Sequence, residues 1–233
     1  PLVPYLDYLW FRDTNVGRIV QNIGGIANLT AIPARARVDE IFAFDTGPGN
    51  MVIDAVTHEL FAKPFDRGGK IAAAGNVVES AVTRILRHSF FRARPPKTAG
   101  REEFGGEFVA RFMKDCGRAR REDVVATATA LTARSIADAV RHFVISKDSG
   151  YSEIVVSGGG ARNRTLMQLL AQQLAPMKIG VRFSDEFGLP SQAKEAVAFA
   201  LMAYETWHHQ PSNVPSATGA KRPAVLGKIS YGS

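Results

Sequence analysis

The 233-residue sequence holds one cysteine, Cys116, so no disulfide can form within the chain. A lone thiol suits a reducing compartment. No apolar run reaches the roughly 20 residues that a membrane-spanning helix needs. The opening "PLVPYLDYLWFRD" lacks the basic stretch and pure apolar core of a signal peptide. Several catalytic signatures are missing too. Neither G-x-G-x-x-G nor G-x-x-x-x-G-K-[ST] occurs, which removes the dinucleotide fingerprint and the P-loop. G-x-S-x-G is absent, and Cys116 has no nucleophile context. "HELFA" at His58 resembles the opening of a zinc helix, but Ala62 stands where the second histidine belongs, so no metal site is expected there. There is no initiator methionine, and the chain begins inside an apolar pattern. The expectation is a piece of a longer gene product.

What is present is ordinary for a globular protein: 45 % hydrophobic and 22 % charged residues. Lys and Arg number 29 against 22 Asp and Glu, a formal charge of +7 concentrated in "FFRARPPK" and "CGRARRED". A solvated surface accounts for these clusters, and attraction of an anionic ligand such as phosphate is the functional reading. No nucleic-acid motif accompanies them, so neither DNA nor RNA binding is inferred.

"GRIVQNIGGIANLTAIP" reads as strand, glycine turn, strand, and "DEIFAF" as a third strand. Short connections between the three suggest an antiparallel meander. "NMVIDAVTHELFA" follows with helical spacing. Residues 70–93 read as mostly helical, "RARPPKTAGRE" as a loop broken by its prolines, and "GGEFVARFMKD" as a short helix. The strongest helix is "EDVVATATALTARSIADAVRHFV", with Val124, Ala128, Leu131, Ile136, Val140 and Phe143 on its apolar face. Glu122 and Asp123 suit its N-terminus. "EIVVSGGGARNRTLMQLLAQQL" is strand, glycine loop, helix, and "KIGVRFSDE" is a further strand. "SQAKEAVAFALMAYETW" is a helix with Ser191 as its expected N-cap. In the Pro/Gly/Ser-rich tail, "AVLGKI" reads as a last strand. The class is mixed α/β.

Two stretches carry chemistry. "FAFDTGPGN" ends a buried strand on Asp45 and then threads a cramped turn. Asp45 is either a turn residue satisfying local backbone or a carboxylate held out to a ligand that the glycines let approach. "VVSGGGARN" puts Gly158, Gly159 and Gly160 between strand and helix. That is either a sharp turn or a nucleotide site using the helix N-terminus. Glu195 lies in the first turns of an otherwise apolar helix, where a solvated carboxylate is the simpler reading. A Gly24–Gly25 hairpin can wrap phosphates with backbone N–H groups. Hairpin, Asp-ended strand and strand–GGG–helix, in that order, are similar to the second half of the actin-like ATPase fold shared by actin, hexokinase and the heat-shock ATPases.

"NIGGIANLT", "FDTGPGN", "PPKTAGREEF", "VSGGGARN", "AKEAVAFA" and "PSATGA" together resemble the anhydro-N-acetylmuramic acid kinases over essentially the whole chain. The resemblance implies an actin-like (ribonuclease H-like) α/β fold, a mixed sheet with an antiparallel meander and flanking helices. It implies a cytoplasmic kinase using ATP and Mg2+ that opens the 1,6-anhydro sugar with water and phosphorylates O6, in cell-wall recycling. A levoglucosan-type kinase is the related alternative, and a non-catalytic nucleotide-binding remnant the alternative of another class. Asp45 is then the general base. Gly24, Gly25, Gly158, Gly159 and Gly160 are ATP contacts, and Gly47, Asn50, Lys97, Arg101 and Glu195 are substrate contacts. The anhydro sugar is the expected partner, without nucleic acid or membrane, and a homodimer is an assembly the resemblance leaves open. Members begin with a G-T-S-x-D-G-type hairpin that this sequence does not contain. Residues 1–208 are therefore expected to be the second lobe and 209–233 a tail returning to a first lobe. The piece by itself is expected to lack activity.

Overall fold

The computed structural model describes residues 3–146 and 150–230. Helix α1 (Val3–Phe11) leads into β1 (Gly17–Ile23), β2 (Ile26–Ile32) and β3 (Phe42–Pro48), and then α2 (Asn50–Phe61). Four short helices follow: α3 (Lys70–Ala73), α4 (Glu79–Ile85), α5 (Ser89–Arg92) and α6 (Arg101–Phe104). After α7 (Gly106–Cys116) and α8 (Arg121–Ala139) come β4 (Tyr151–Ser157), α9 (Arg164–Leu174), β5 (Gly180–Phe183), α10 (Lys194–Trp207) and α11 (Pro215–Thr218). The sheet has five strands in the order β3-β2-β1-β4-β5. β1, β2 and β3 form the expected antiparallel meander, while β4 runs parallel to β1 and β5 parallel to β4.

Strand periodicity sorts the core into two layers. Ile19, Ile23, Leu29, Phe44, Ile154 and Val156 face α2, α8 and α9. Val20, Ile32, Ala43 and Val155 face the opposite way, against Leu6 and Phe11 of α1, Ala198 of α10 and Ala217 of α11. Helix α8 is buried along nearly its whole circumference rather than on one face, because α2, α3 and α9 all pack around it. Its small side chains permit that. Its hydroxyls are satisfied within the helix, as Thr129 Oγ1 donates to the Val125 carbonyl at 2.9 Å, or by neighbours, as Thr132 Oγ1 donates to the Gly49 carbonyl at 2.9 Å.

Three expectations change. Asp45 does not end its strand, because β3 continues past it through a bulge to Pro48. Residues 70–93 are mostly helical as expected, in three pieces, with the turn at Gly75 between α3 and α4 pressed against the Glu122 backbone. Ser191 does not cap α10. Its hydroxyl donates to Asp185 Oδ2 at 2.6 Å, and the helix starts after Ala193 with no side-chain cap. "AVLGKI" forms no strand, and Val225 and Leu226 are exposed. The first part of the tail packs on this domain, with Val214 and Ala217 buried against β3 and its neighbours, and the final three residues lie outside the described ones.

Candidate active site

The Gly24–Gly25 turn joins β1 to β2 and sits on the N-terminus of α2. The Gly24 carbonyl accepts from Asn50 N–H at 2.7 Å, and the Gly25 carbonyl from Gly49 N–H at 2.9 Å and Met51 N–H at 3.0 Å. The turn thus satisfies helix donors that would otherwise lack partners. Asn50 Nδ2 adds a bond to the Ile23 carbonyl at 3.2 Å, tying α2 to the end of β1.

A cleft of about 430 Å³ opens beside the turn, lined by Asn22, Gly24, Gly158, Gly159, Arg162, Lys194 and Glu195 among others. A second hollow of about 280 Å³ shares Gly159 and Arg162 with it and continues to Asn50, Ile53, Asp54, Phe65 and Asp66. Turn, glycine loop and α10 therefore meet where the sequence suggests. Asp54 and Asp66 are additions that no motif signals, and Arg162 and Lys194 lie inside the "VSGGGARN" and "AKEAVAFA" motifs without having been singled out.

The glycines divide into two kinds. Gly158 has φ +87°, and a Cβ on it would come within 2.7 Å of Asn22 Oδ1 and the Ile23 carbonyl oxygen. One on Gly160 would collide with Ile23, and one on Gly47 (φ +148°) would press on Phe91 and Ser135, the latter at 3.0 Å from its Oγ. The chain itself requires those three glycines. Gly24, Gly25 and Gly159 differ. None has a left-handed φ, and a Cβ on any of them meets nothing closer than 3.6 Å. Neither backbone conformation nor packing explains glycine there.

Asp45 lies on β3, next to a bulge. Asn28 pairs with Asp45 and Ala27 with Gly47, so Thr46 is the extra residue. Bulges re-aim the side chains beside them. Asp45 Oδ2 accepts from Ala99 N–H at 2.7 Å, while its own N–H donates to the Lys97 carbonyl at 3.0 Å. Oδ1 has no partner among the described residues. Burial raises the Asp45 pKa, opposed by the Ala99 N–H and the Lys97 charge. Pro48, at the far end of the same strand, pairs with Ile26 beside the glycine turn. Three residues of extended chain thus separate carboxylate and turn by about 10 Å.

Lys97 points inward. Its Nζ donates to the Phe90 carbonyl at 3.0 Å and lies 4.6 and 4.9 Å from the ring centroids of Phe90 and Phe143. Burial pushes its pKa down to about 8, against the pull of Asp45. Its ammonium positions the 93–100 loop that carries Ala99. Arg101 lines two other hollows, one with His88 and Phe108 and one with Met51 and Met113, and does not line the cleft beside Gly24. Beneath that cleft, Lys194 is buried, 2.7 Å from Asp7 Oδ1 of α1 and 3.3 Å from Ser157 Oγ at the end of β4. Thr30 Oγ1 donates to Asp7 Oδ2 at 2.8 Å. The one hint in the sequence is Asp7 itself, a carboxylate inside the apolar "YLDYLW" that must find a partner if buried.

Among the described residues, no group of three or more His, Cys, Asp or Glu side chains is placed to hold a metal ion, and no helix is long and apolar enough to cross a membrane. In fold, the chain is similar to the activator of 2-hydroxyisocaproyl-CoA dehydratase from Clostridium difficile, solved with bound ADPNP. The TM-score is 0.53 at 17 % identity, over 88 % of this chain and 65 % of that one. Component A of (R)-2-hydroxyglutaryl-CoA dehydratase from Acidaminococcus fermentans gives a TM-score of 0.50 at 16 % identity, over 88 % of this chain and 66 % of that one. These likenesses support the actin-like ATPase fold. Curated anhydro-N-acetylmuramic acid kinases from Bacillus cereus strains AH187 and Q1 are each 43 % identical over 233 residues, all of this chain and 61 % of their own length. The chain therefore spans about 61 % of those relatives. The family model for anhydro-N-acetylmuramic acid kinase matches residues 1–232, and the chain belongs to that family.

Proposed function

We propose that this chain carries the nucleotide cleft and catalytic base of an ATP-dependent kinase acting on 1,6-anhydro-N-acetylmuramic acid. The observation that carries this reading is that three glycines unexplained by φ or packing come together, Gly24 and Gly159 lining one cleft and Gly25 next to Gly24 on the turn. Their missing side chains leave space for a ligand against the main chain. Arg162 lines both halves of that cleft and has no ion-pair partner among the described residues, which suits a phosphate.

In this reading Asp45 takes a proton from water with its unpaired oxygen Oδ1, while the Ala99 N–H holds Oδ2. The water oxygen attacks C1 and the C1–O6 bond breaks. O6 keeps that electron pair and bonds to the γ-phosphorus of ATP, and ADP leaves. The product is N-acetylmuramic acid 6-phosphate, and the proton from water rests on Asp45 until solvent removes it. Phosphoryl transfer depends mainly on position and charge neutralisation. Glu195, at the cleft edge, faces the sugar–phosphate junction. Asn50 holds α2 against the glycine turn. Lys97 and Gly47, both packed inward, act on the sugar through the Asp45 loop and strand. Arg101 contacts substrate only if the sugar extends toward α6. Magnesium would arrive with the nucleotide, coordinated largely by phosphate oxygens and water.

The part of the relatives' length beyond the 61 % matched would supply the first phosphate hairpin and the lobe to which the end of the tail returns. Residues 1–233 alone would then be inactive. A cytoplasmic location and a homodimer belong to the same proposal. A levoglucosan-type kinase would use the same machinery on a sugar without the N-acetyl and lactyl groups.

The test is the whole protein given ATP, magnesium and each anhydro sugar in 18O-labelled water. The expected product gains one water and one phosphoryl group, with the label on C1 and none on phosphate. Label on phosphate, or turnover of levoglucosan alone, would overturn the reading. Two variants separate ligand space from packing space. Gly159→Val should leave the unfolding transition in place and weaken ATP binding. Gly160→Val should cost stability, about 1–3 kcal/mol for overpacking against Ile23. Calorimetry finding full ATP affinity in Gly159→Val would remove the nucleotide from this loop.

A further inference from the structure

Asp54 has no part in the chemistry above, yet it faces the second half of the cleft. It lies four residues after Asn50, so both side chains project from the same face of α2, and both line the hollow with Ile53, Phe65, Gly159 and Arg162. Among the described residues nothing donates a hydrogen bond to its carboxylate and no cation pairs with it. Asp66, its neighbour across the hollow, is fully used. Asp66 Oδ1 and Oδ2 accept from the N–H groups of Ile71 and Ala72, each at 2.9 Å, capping the start of α3.

Position along the cleft limits what Asp54 can meet. The glycine turn sits over the first residue of α2, and Asp54 is one helical turn further, about 6 Å. A triphosphate beside Asp54 would be repelled by the Asp54–Asp66 pair, so the charged end of a nucleotide belongs near Gly24 and the neutral end near Phe65 and Ile53. Resting on the ATP reading above, we infer that Asp54 is the acceptor that fixes the nucleoside end, taking a hydrogen bond from a neutral donor, a ribose hydroxyl or the exocyclic amino group of the base. Apolar Ile53 and Phe65 then flank the base, and Arg162 reaches back toward the phosphates.

Burial, with repulsion from Asp66, raises the Asp54 pKa to about 6. The charged groups lining the hollow are Asp66 from the segment before α3 and Arg162 from the glycine loop. On α2 itself, His58 lies one further turn along. A raised carboxylate pKa means that the folded chain binds this proton more tightly than the unfolded chain. The ionised form therefore costs stability as pH rises through about 6. Asp54→Asn should accordingly be as stable as wild type or more so at neutral pH, and a loss of binding in it is not a loss of fold.

The experiment is calorimetry on the whole protein, wild type and Asp54→Asn, with ATP, 2′-deoxy-ATP, 3′-deoxy-ATP and inosine triphosphate, one unit above and one unit below the Asp54 pKa. Wild type should bind ATP about tenfold more tightly than the nucleotide lacking the donor. Discrimination against a deoxynucleotide assigns the ribose hydroxyl, and discrimination against the inosine nucleotide assigns the amino group. Asp54→Asn keeps a neutral amide acceptor and loses the charge, so it should bind ATP about fivefold more weakly and show a smaller discrimination. Above the Asp54 pKa the wild type should gain affinity relative to Asp54→Asn, because the ionised form is the better acceptor. Equal affinities for all four nucleotides, or a variant with unchanged ATP affinity and discrimination, would overturn the Asp54 assignment and leave the ATP reading standing. Wild type that binds no nucleotide at all would overturn both.

Discussion

In the whole enzyme, Asp45→Asn should lose turnover by roughly 10²–10⁴-fold, the usual contribution of a positioned general base, while ATP and sugar still bind. The geometry makes this substitution clean. The Ala99 N–H donates to Asp45 Oδ2 at 2.7 Å, and an asparagine carbonyl oxygen can accept the same bond. The loop from Lys97 to Ala99 should keep its place, and the side chain loses only its ability to take a proton. The pH dependence has a definite sign. A base works ionised, so activity falls as pH drops through the Asp45 pKa. Burial raises that pKa, so the acid limb should lie above the ordinary carboxylate range. Asp45→Asn should have no such limb. Measured kcat within about tenfold of wild type would remove Asp45 from the role of base. A fall in ATP affinity without a fall in kcat would make it a binding residue instead.

The largest effect on stability should come from a pair with no part in the chemistry. Lys194 and Asp7 are both buried, their charges 2.7 Å apart, and each has one further hydrogen-bond partner: Ser157 for the lysine, Thr30 for the aspartate. Lys194→Met leaves the Asp7 carboxylate buried without a counter-charge, and a broken buried pair costs about 3–5 kcal/mol. The double replacement Asp7→Leu with Lys194→Met removes both charges and should cost far less than either single change, because no ion is then stranded. Denaturant unfolding of the three variants measures this. A single Lys194→Met costing under about 1 kcal/mol, the range of exposed pairs, would mean that water reaches the ammonium. Lys194 adjoins Glu195 and joins α10 to the end of β4 where the glycine loop begins. Loss of the pair should therefore loosen the cleft as well as the fold.

Much of the architecture was legible because local sequence and final environment agree. The β1–turn–β2–β3 meander follows from alternating apolar residues and a glycine pair, and β4–GGG–α9 from an apolar strand, a glycine run and a helical repeat. Asp45 could be singled out as a carboxylate closing an apolar run, although β3 continues past it to Pro48. Helix boundaries were less legible. The break between α3 and α4 depends on contact with the α8 backbone, and Ser191 was drawn from its capping role by Asp185, which periodicity does not register.

By itself the sequence determined the order of elements, the family, and the residue types available to the cleft. Tertiary structure decided which of them face it. A glycine reads the same in a motif whether the chain or a ligand needs it. Only packing around Ile23, Asn22 and Ser135 shows that Gly160, Gly158 and Gly47 serve the chain, leaving Gly24, Gly25 and Gly159 open. The direction of Lys97 was likewise set by three aromatic rings from β3, α5 and the end of the α8 segment, Phe44, Phe90 and Phe143. The partnership of Asp7 with Lys194 joins helices from opposite ends of the chain. Burial and charge act through space, so side chains far apart in sequence acquire their roles only when the fold brings them within a few ångströms of each other.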